Sequence, residues 1–236
     1  MGLLELEDVS ASYGYAPVLH GISLTLEANH AEGILGANGA GKTTTLRAIS
    51  GMVAATGRIS FDGVNILGMS PDQIARRGIA HVPEGRGTLG DLTVRDNLRV
   101  GAYQRRDRKQ VAVDIDYCLE LFPNLRERLA SNASSLSGGE QQMLAVSRAF
   151  MAKPRVILLD EASLGLAPST AQRVYEAIQR LQKDAGVSLI VVEQNAALAF
   201  SIVDHAIVLE TGRVSIEGSR DELMGMDEVR RAYLGG

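Results

Sequence analysis

Residues 36–43 have the types and the spacing that could hold a polyphosphate. They fit the pattern G-x-x-x-x-G-K-[ST] and read Gly36, Ala37, Asn38, Gly39, Ala40, Gly41, Lys42 and Thr43. Glycines let the backbone curl so that successive N–H groups point at phosphate oxygens, and a following helix adds the positive end of its dipole. Lys42 would reach the β- and γ-phosphates, and the Thr43 hydroxyl would ligate Mg²⁺. The segment predicts a nucleoside-triphosphate site; a glycine-rich turn that binds nothing is the alternative.

Two carboxylates follow an apolar run later in the chain, in the segment Val156–Glu161. Four apolar residues predict a buried strand, and ligands of α/β proteins bind at the carboxyl ends of such strands. Asp160 would hold Mg²⁺ through its water shell, and Glu161 would polarise the water that attacks the γ-phosphate. A solvent-exposed acidic pair is the alternative, but the Lys42 loop favours the catalytic interpretation.

A second glycine motif lies between these two segments, in Leu136–Gln142. It places Ser137, Gly138 and Gly139 just before a helical run, and a helix N-terminus of this kind can bind an anion. One phosphate tail does not need two such ends within one chain. An ordinary N-cap with a flexible turn would look similar. The motif therefore indicates an anion site only in combination with the two other motifs.

Composition bounds the class of protein in which these motifs occur. The 236 residues are 45% hydrophobic and 22% charged, which suits one globular unit. The net charge of −4 does not indicate the excess of positive charge that is typical of proteins that bind nucleic acid. The local basic run 105–109 is interpreted as a solvated helix face, and the single cysteine, Cys118, as a buried free thiol. The first residues do not have the pattern of a signal peptide, and no apolar run reaches the ~20 residues that span a bilayer.

Periodicity predicts the elements that would position the motifs. Period-two alternation predicts early strands at 4–9 and 22–26, with a third at 58–61 before the turn at Asp62-Gly63. Helix is predicted over 44–50, across most of 93–129 and over 143–151 and 171–185. Short apolar runs at 156–159 and 188–192 predict parallel strands; a hairpin at 206–212 and a closing helix over 221–234 follow. The fold predicted is an α/β core with a helical insertion between about residues 84 and 150.

The order of the three motifs resembles that of the ATP-binding subunits of ABC transporters over essentially the whole chain. The resemblance implies a single domain over 1–236, with an α/β P-loop NTPase core of mixed sheet, flanking helices and an antiparallel β subdomain in 1–83 and 151–236, and a helical subdomain in 84–150. It implies ATP sandwiched between two subunits, with Ser137 and Gly139 contacting the nucleotide on the partner. The nucleotide-binding residues that it implies are Tyr13, which would stack on adenine, the 36–43 loop, Thr44, Ser137, Gly138, Gly139 and Gln141.

Three residues differ from the pattern of the general family, and they make the resemblance more specific. Glu84 stands where most members have glutamine, Gln194 replaces the usual switch histidine, and Ala167 replaces an aspartate. With the terminal residues 233–236, this set is similar to one of the two ATPase subunits of high-affinity branched-chain amino-acid importers. Glu84 could ligate Mg²⁺ or orient water, and the Gln194 amide could hydrogen-bond the γ-phosphate but cannot become a cation as imidazole can. Glu161, Gln194 and Glu84 are therefore the predicted catalytic residues, and Thr43, Asp160 and Glu84 the predicted metal ligands.

The same resemblance implies partners and a location. The partners would be a second ATP-binding subunit, as a heterodimer or a homodimer, and membrane-embedded permease subunits, with no nucleic acid. The chain would then be cytoplasmic, peripheral on the inner face of the cell membrane. Arg86 and Asp91 are candidate permease contacts, with exposed loop charges as the alternative.

A smaller departure from the usual pattern of the subunit is Glu32, which stands within an otherwise apolar strand. A buried unpaired carboxylate would be costly there.

Other functions stay open at this point. An ABC ATPase of DNA repair or translation usually carries long arms or two fused nucleotide domains, for which 236 residues leave no room. A regulatory module that binds ATP with little hydrolysis is weakly favoured by Glu84, Ala167 and Gln194 and disfavoured by Glu161. An importer of urea or another polar solute also fits, because no residue of such a subunit touches the solute.

Overall fold

The computed structural model describes residues 2–229. Its ten strands are β1 (Leu4–Tyr13), β2 (Ala16–Leu26), β3 (Ala31–Leu35), β4 (Ala54–Phe61), β5 (Val64–Asn65), β6 (Ile79–Val82), β7 (Val156–Asp160), β8 (Ser188–Glu193), β9 (His205–Glu210) and β10 (Arg213–Ser219). The helices within this range are α1 (Lys42–Ile49), α2 (Pro71–Arg76), α3 (Val94–Gly101), α4 (Arg108–Leu121), α5 (Pro123–Glu127), α6 (Gly138–Met151), α7 (Pro168–Ala185), α8 (Ala196–Ala199), α9 (Arg220–Gly225) and α10 (Asp227–Val229).

A six-stranded mixed sheet forms the centre, in the order β10-β9-β3-β8-β7-β6. Neighbours from β9 to β6 run parallel, and β10 pairs antiparallel with β9. Every residue of β3, β7 and β8 is buried, as expected of strands covered on both faces. The predicted α/β fold is confirmed. Strand β6 was missed, because its four residues include His81 and so lack a continuous apolar run.

The first part of the chain forms a second, antiparallel sheet in the order β2-β1-β4-β5. The predicted strand 4–9 is part of the longer β1, which continues to Tyr13. The predicted strand 22–26 is part of β2, which begins earlier, at Ala16. The predicted turn at Asp62-Gly63 joins β4 to β5, and both residues have positive φ (53° and 74°). Such two-residue loops match the twist of the strands that they join. One apolar core lies between this sheet, helix α1 and one face of the mixed sheet.

The helical insertion lies between β6 and β7 and packs around Leu98, Leu119, Leu125 and Leu144. Thr93 begins α3 as its N-cap, accepting a hydrogen bond from the Asp96 backbone N–H. The subdomain limits of 84 and 150 remain our proposal; the second falls at the end of α6.

The interpretation of the basic run 105–109 as a solvated helix face holds for Arg108 and Lys109, which are exposed at the start of α4, but not for Arg105. Arg105 precedes α4, and only 7% of its side chain is exposed. Its guanidinium contacts Asp107 at 3.0 Å and Asp114 at 2.6 Å and donates to the Met151 carbonyl. The arginine therefore ties the loop before α4 to the end of α6. Cys118, by contrast, is buried as predicted, and burial raises the pKa of its thiol to about 12.

The predicted closing helix over 221–234 is interrupted within the described part of the chain. The helix α9 ends at Gly225, and α10 begins at Asp227 after the extended residue Met226. Ser219 caps α9 in a reciprocal pair with Glu222. The remainder of that prediction, and the terminal residues 233–236, lie outside the described residues.

Glu32 is buried on β3, but it is not unpaired. Its Oε1 lies 2.7 Å from Nδ1 of His205, the residue directly opposite on the parallel strand β9. Burial raises the pKa of Glu32 to about 7, with Glu217 and Asp204 raising it further and His205 opposing the rise. The partner is 173 residues away in sequence, so only the strand pairing reveals it.

This pair predicts a pH-dependent stability. Because the folded-state pKa of Glu32 is raised from 4.5 to about 7, the folded protein keeps a proton that the unfolded chain releases. The stabilisation is full below pH 4.5 and is lost as the pH rises through about 7. We expect the free energy of unfolding to fall by about 3 kcal/mol across that interval relative to Glu32→Gln. Urea unfolding at several pH values measures this pH dependence. The control is Glu176→Gln, which removes an exposed carboxylate on α7 that does not shift the pKa of Glu32. Equal slopes in the wild type and Glu32→Gln would contradict the prediction.

Candidate functional site

The 36–43 loop leaves the centre of the mixed sheet at the end of β3 and enters α1. Gly36 and Gly41 have φ of 150° and 109°. A Cβ at Gly36 would lie 2.5 Å from the Leu209 carbonyl oxygen, and one at Gly41 would lie 2.7 Å from the Leu19 side chain. Only glycine fits both positions. Because the N-cap Gly41 has no side-chain oxygen, the first N–H groups of α1 are available to an anion.

Lys42 is a buried cation held by three oxygens. Its Nζ donates to the carbonyls of Gly36 (2.8 Å) and Ala37 (3.2 Å) and lies 3.1 Å from Glu161 Oε1. Its exposed fraction is 5%. The sequence predicted Lys42 and Glu161 at one site, and the structure brings their charged groups into direct contact. Phosphate oxygens that bind Lys42 would compete with this carboxylate.

Thr43 and Asp160 meet on the other side of the loop. Thr43 Oγ1 donates to Asp160 Oδ1 at 2.9 Å, and the backbone N–H of Glu84 also contacts the Asp160 carboxylate. Burial raises the pKa of Asp160, and the nearby Glu84 and Glu161 add to the rise. A hydroxyl and a carboxylate with two further carboxylates nearby are oxygen ligands that suit Mg²⁺, so the residues present fit this ion.

Most of these residues line one cavity of about 460 Å³, whereas Asp160 lies outside its lining. Glu84 and Glu161 face it from the ends of β6 and β7, beside Asn38, Gly39, Lys42, Thr43 and Thr44. Glu161 has a positive φ of 49°, uncommon for a residue with a side chain. Its Oε2 accepts a hydrogen bond from the backbone N–H of Gln194 at 3.2 Å. Gln194 is thus placed beside Glu161, with its side chain exposed.

Tyr13 lies at the end of β1, outside the lining of this cavity. Its ring is 43% exposed, and its hydroxyl accepts a hydrogen bond from Arg47 of α1 at 3.0 Å. Arg47 was not singled out from the sequence. An exposed ring next to α1 is compatible with stacking on a base, which stays a prediction.

The second glycine motif begins helix α6, away from the Lys42 cavity. Ser137 is the N-cap and forms a reciprocal capping pair with Glu140. A Cβ at Gly139 would lie 2.4 Å from Cγ2 of Thr170 on α7, so glycine is required there for packing. Neither Ser137 nor Gly139 lines the cavity around Lys42. Their contact with a nucleotide on a partner subunit therefore remains a prediction.

Gln141 and Arg86 bind each other. Arg86 Nη1 donates to Gln141 Oε1 at 3.1 Å, and Gln141 Nε2 donates to the carbonyls of Leu136 (3.1 Å) and Ala133 (3.3 Å). The first bond joins the loop after β6 to α6, and the other two hold Gln141 against the segment that precedes α6. Arg86 is thus not simply an exposed loop charge, whereas Asp91 is exposed.

Sequence reasoning missed a buried polar network next to Glu161. Glu193, the last residue of β8, has no exposed surface and accepts hydrogen bonds from Ser163 and from the hydroxyl of Tyr175. An acidic residue directly after the apolar run 188–192 was the available signal.

Across residues 2–229, no helix is long and apolar enough to cross a membrane.

Comparison with known proteins places this site in a family. The family model described as ABC transporter matches residues 19–164. The high-affinity branched-chain amino acid transport ATP-binding protein BraG of Pseudomonas aeruginosa is 43% identical over 99% of this chain and all of its own length. The probable branched-chain amino acid transport ATP-binding protein LivF of Archaeoglobus fulgidus is 32% identical over 99% of both chains. BraF, a high-affinity branched-chain amino acid transport ATP-binding protein of P. aeruginosa, is 28% identical over 99% of this chain and 98% of its own.

Solved structures support the same fold. The ATP-binding cassette MJ1267 of an ABC transporter, in its ADP conformation, superposes with a TM-score of 0.84 over the full length of both chains at 24% identity. An ATP-binding subunit of an ABC transporter also gives a TM-score of 0.84, at 28% identity over 98% of this chain and 96% of its own.

Proposed function

The chain belongs to the ATP-binding proteins of ABC transporters, and from that premise we propose that it hydrolyses ATP to drive membrane import of branched-chain amino acids. Binding and hydrolysis of ATP follow from family membership. The solute is the proposed part. BraG, named for branched-chain amino acid transport, matches this chain from end to end at 43% identity, and this observation carries the proposal.

We assign roles to the residues of the site on the contacts that they make. Lys42 and the first N–H groups of α1 would bind the phosphates, while Thr43 and Asp160 would hold Mg²⁺, with Glu84 beside them. When bound, Mg²⁺ offsets the negative charge of the phosphates. Glu161 would orient and deprotonate the attacking water from its place at the end of β7, next to Lys42. The Gln194 amide would donate a hydrogen bond to the γ-phosphate without adding a positive charge.

The second half of each ATP site is proposed to come from another subunit. Ser137 and Gly139 begin α6 and lie outside the Lys42 cavity, which fits a role on the partner's nucleotide. Similarity to both BraG and BraF of one organism favours an unlike pair of ATPases. The pair would sit on permease subunits at the cytoplasmic face of the membrane. We expect this chain alone to hydrolyse ATP slowly, because Gln194 cannot carry the charge of a histidine.

Transport by the assembled complex tests the proposed function. The chain is co-purified with its second ATPase and permease subunits, reconstituted into liposomes with the binding protein, and supplied with ATP on the cytoplasmic side. We expect ATP-dependent uptake of leucine, isoleucine and valine and no uptake of urea. Uptake of urea alone would assign the chain to a related importer. ATP binding without hydrolysis in any assembly would make it a regulatory module.

A further inference from the structure

A buried carboxylate lies directly behind the cavity, although it does not line it. Glu193 has no exposed surface, and its two oxygens accept hydrogen bonds from the Ser163 backbone N–H (3.0 Å), the Ser163 hydroxyl (2.8 Å) and the Tyr175 hydroxyl. A carboxylate is costly to bury unless hydrogen bonds compensate for lost water. Here every donor comes from the segment that follows Glu161 or from the helix after it.

These bonds continue the contact between β8 and the chain beyond the end of β7. The last paired residues are Asp160 and Val192. Beyond them, the Glu161 backbone N–H donates to the Val192 carbonyl at 2.9 Å, and the Gln194 N–H donates to the Glu161 carboxylate at 3.2 Å. The Glu193 side chain then holds Ser163. Residues 161–163 are thereby joined to residues 192–194 at three successive positions.

The backbone at Glu161 needs such support. Its φ of 49° is in the left-handed region, where a residue with a Cβ is strained. Strained conformations persist only where the surrounding structure holds them. The Glu161 side chain reaches Lys42 and the Gln194 N–H from this conformation, so a relaxed backbone would redirect its carboxylate.

We propose that Glu193 and Tyr175 are positioning residues for ATP hydrolysis: together they fix Ser163 and thereby the direction of the Glu161 carboxylate. Ser163 is the first residue of the 163–167 segment, which leads into α7. Tyr175 lies on α7. The network therefore holds the start of this segment and the helix that follows it against β8. The inference rests on the catalytic role proposed for Glu161.

Tyr175→Phe tests the proposal with a minimal change. The phenyl ring still fills the core, and only the hydroxyl that binds Glu193 is lost. In the assembled complex we expect kcat to fall by about tenfold or more, since small misplacements of a catalytic group have effects of this size. KM and the affinity for a non-hydrolysable ATP analogue should stay within about twofold. Tyr117→Phe is the matched control, because that hydroxyl also donates to a carboxylate, Asp184, which takes no part in this network.

A second measurement does not depend on activity. The Ser163 amide donates to Glu193, so hydrogen exchange at this amide in the full-length chain reports the network directly. We expect exchange at Ser163 to accelerate by about tenfold in Tyr175→Phe and to be unchanged in Tyr117→Phe. Glu193→Gln keeps a side-chain acceptor for Ser163 and should retain more turnover than Glu193→Ala.

The outcomes separate this inference from the proposed catalytic role. Unchanged kcat or unchanged exchange at Ser163 in Tyr175→Phe would overturn the positioning proposal. A parallel loss of nucleotide affinity and thermal stability would overturn it too, because it would indicate a merely structural contact. If Glu161→Gln kept full turnover, the catalytic role of Glu161 would fail, while faster exchange at Ser163 would still support the tie between Glu193 and the 163–167 segment.

Discussion

Glu161→Gln is expected to lower ATP turnover of the assembled complex by about 10²–10⁴-fold, the usual contribution of a positioned general base. Glutamine keeps the shape of the side chain and an oxygen that can accept from the Gln194 N–H. It loses the negative charge that attracts the proton of the attacking water. Turnover with saturating ATP measures the effect.

The same substitution should tighten ATP binding by several-fold. In the wild type, Glu161 Oε1 lies 3.1 Å from Lys42 Nζ, and only 5% of the Lys42 side chain and 10% of the Glu161 side chain are exposed. Phosphates must therefore compete with a carboxylate for this ammonium, and like charge repels them. Glu176→Gln, on the exposed face of α7, is the matched control and should change neither quantity. Turnover retained within about twofold in Glu161→Gln would show that another group activates the water.

Lys42→Ala is expected to weaken ATP binding by about 100-fold or more. Charge-assisted hydrogen bonds contribute about 1.5–3 kcal/mol each, and the three ammonium hydrogens can serve more than one phosphate oxygen. Titration with a non-hydrolysable ATP analogue measures the affinity. Lys183→Ala, which removes an exposed lysine from α7, should bind the analogue normally. Normal affinity in Lys42→Ala would contradict the assignment of the phosphate site.

The loss of Lys42 also affects the nucleotide-free protein. It leaves the Gly36 and Ala37 carbonyls and the Glu161 carboxylate without their shared donor in a buried site. We therefore expect Lys42→Ala to lower the free energy of unfolding, and to lower it less when Glu161→Gln is also present. Urea unfolding is compared for the wild type, Lys42→Ala, Glu161→Gln and the double variant. This comparison separates the contribution of the ion pair from that of the two carbonyl contacts. Lys42→Gln, which keeps a donor, should be intermediate.

The parts of the site that the sequence predicted well are local in the chain. The 36–43 loop and the Val156–Glu161 strand each carry their chemistry within eight consecutive residues or fewer, so their residue types alone predict a turn or a buried strand. Parallel pairing then brings the carboxyl ends of β3 and β7 to one edge of the sheet, which is why Lys42 and Glu161 meet.

The parts that were missed depend on residues distant in sequence. Arg105 looked like one charge in a basic run, but Asp114 and the end of α6 enclose it. The closing helix looked continuous, yet Met226 is extended between α9 and α10. Periodicity over a short window records only which face of an element is apolar; it does not record which other element covers that face.

The sequence by itself determined the class of fold, the glycine-rich loop 36–43 and the acidic pair, because each is encoded by neighbouring residues with strict geometry. Tertiary structure alone decided the pairing of Glu32 with His205, the contact between Arg86 and Gln141, and the network of Glu193, Ser163 and Tyr175. In each case a buried or half-buried polar group finds its partner on another element. Such groups are stable only when paired, and the register of the strands and the packing of the helices select the partner.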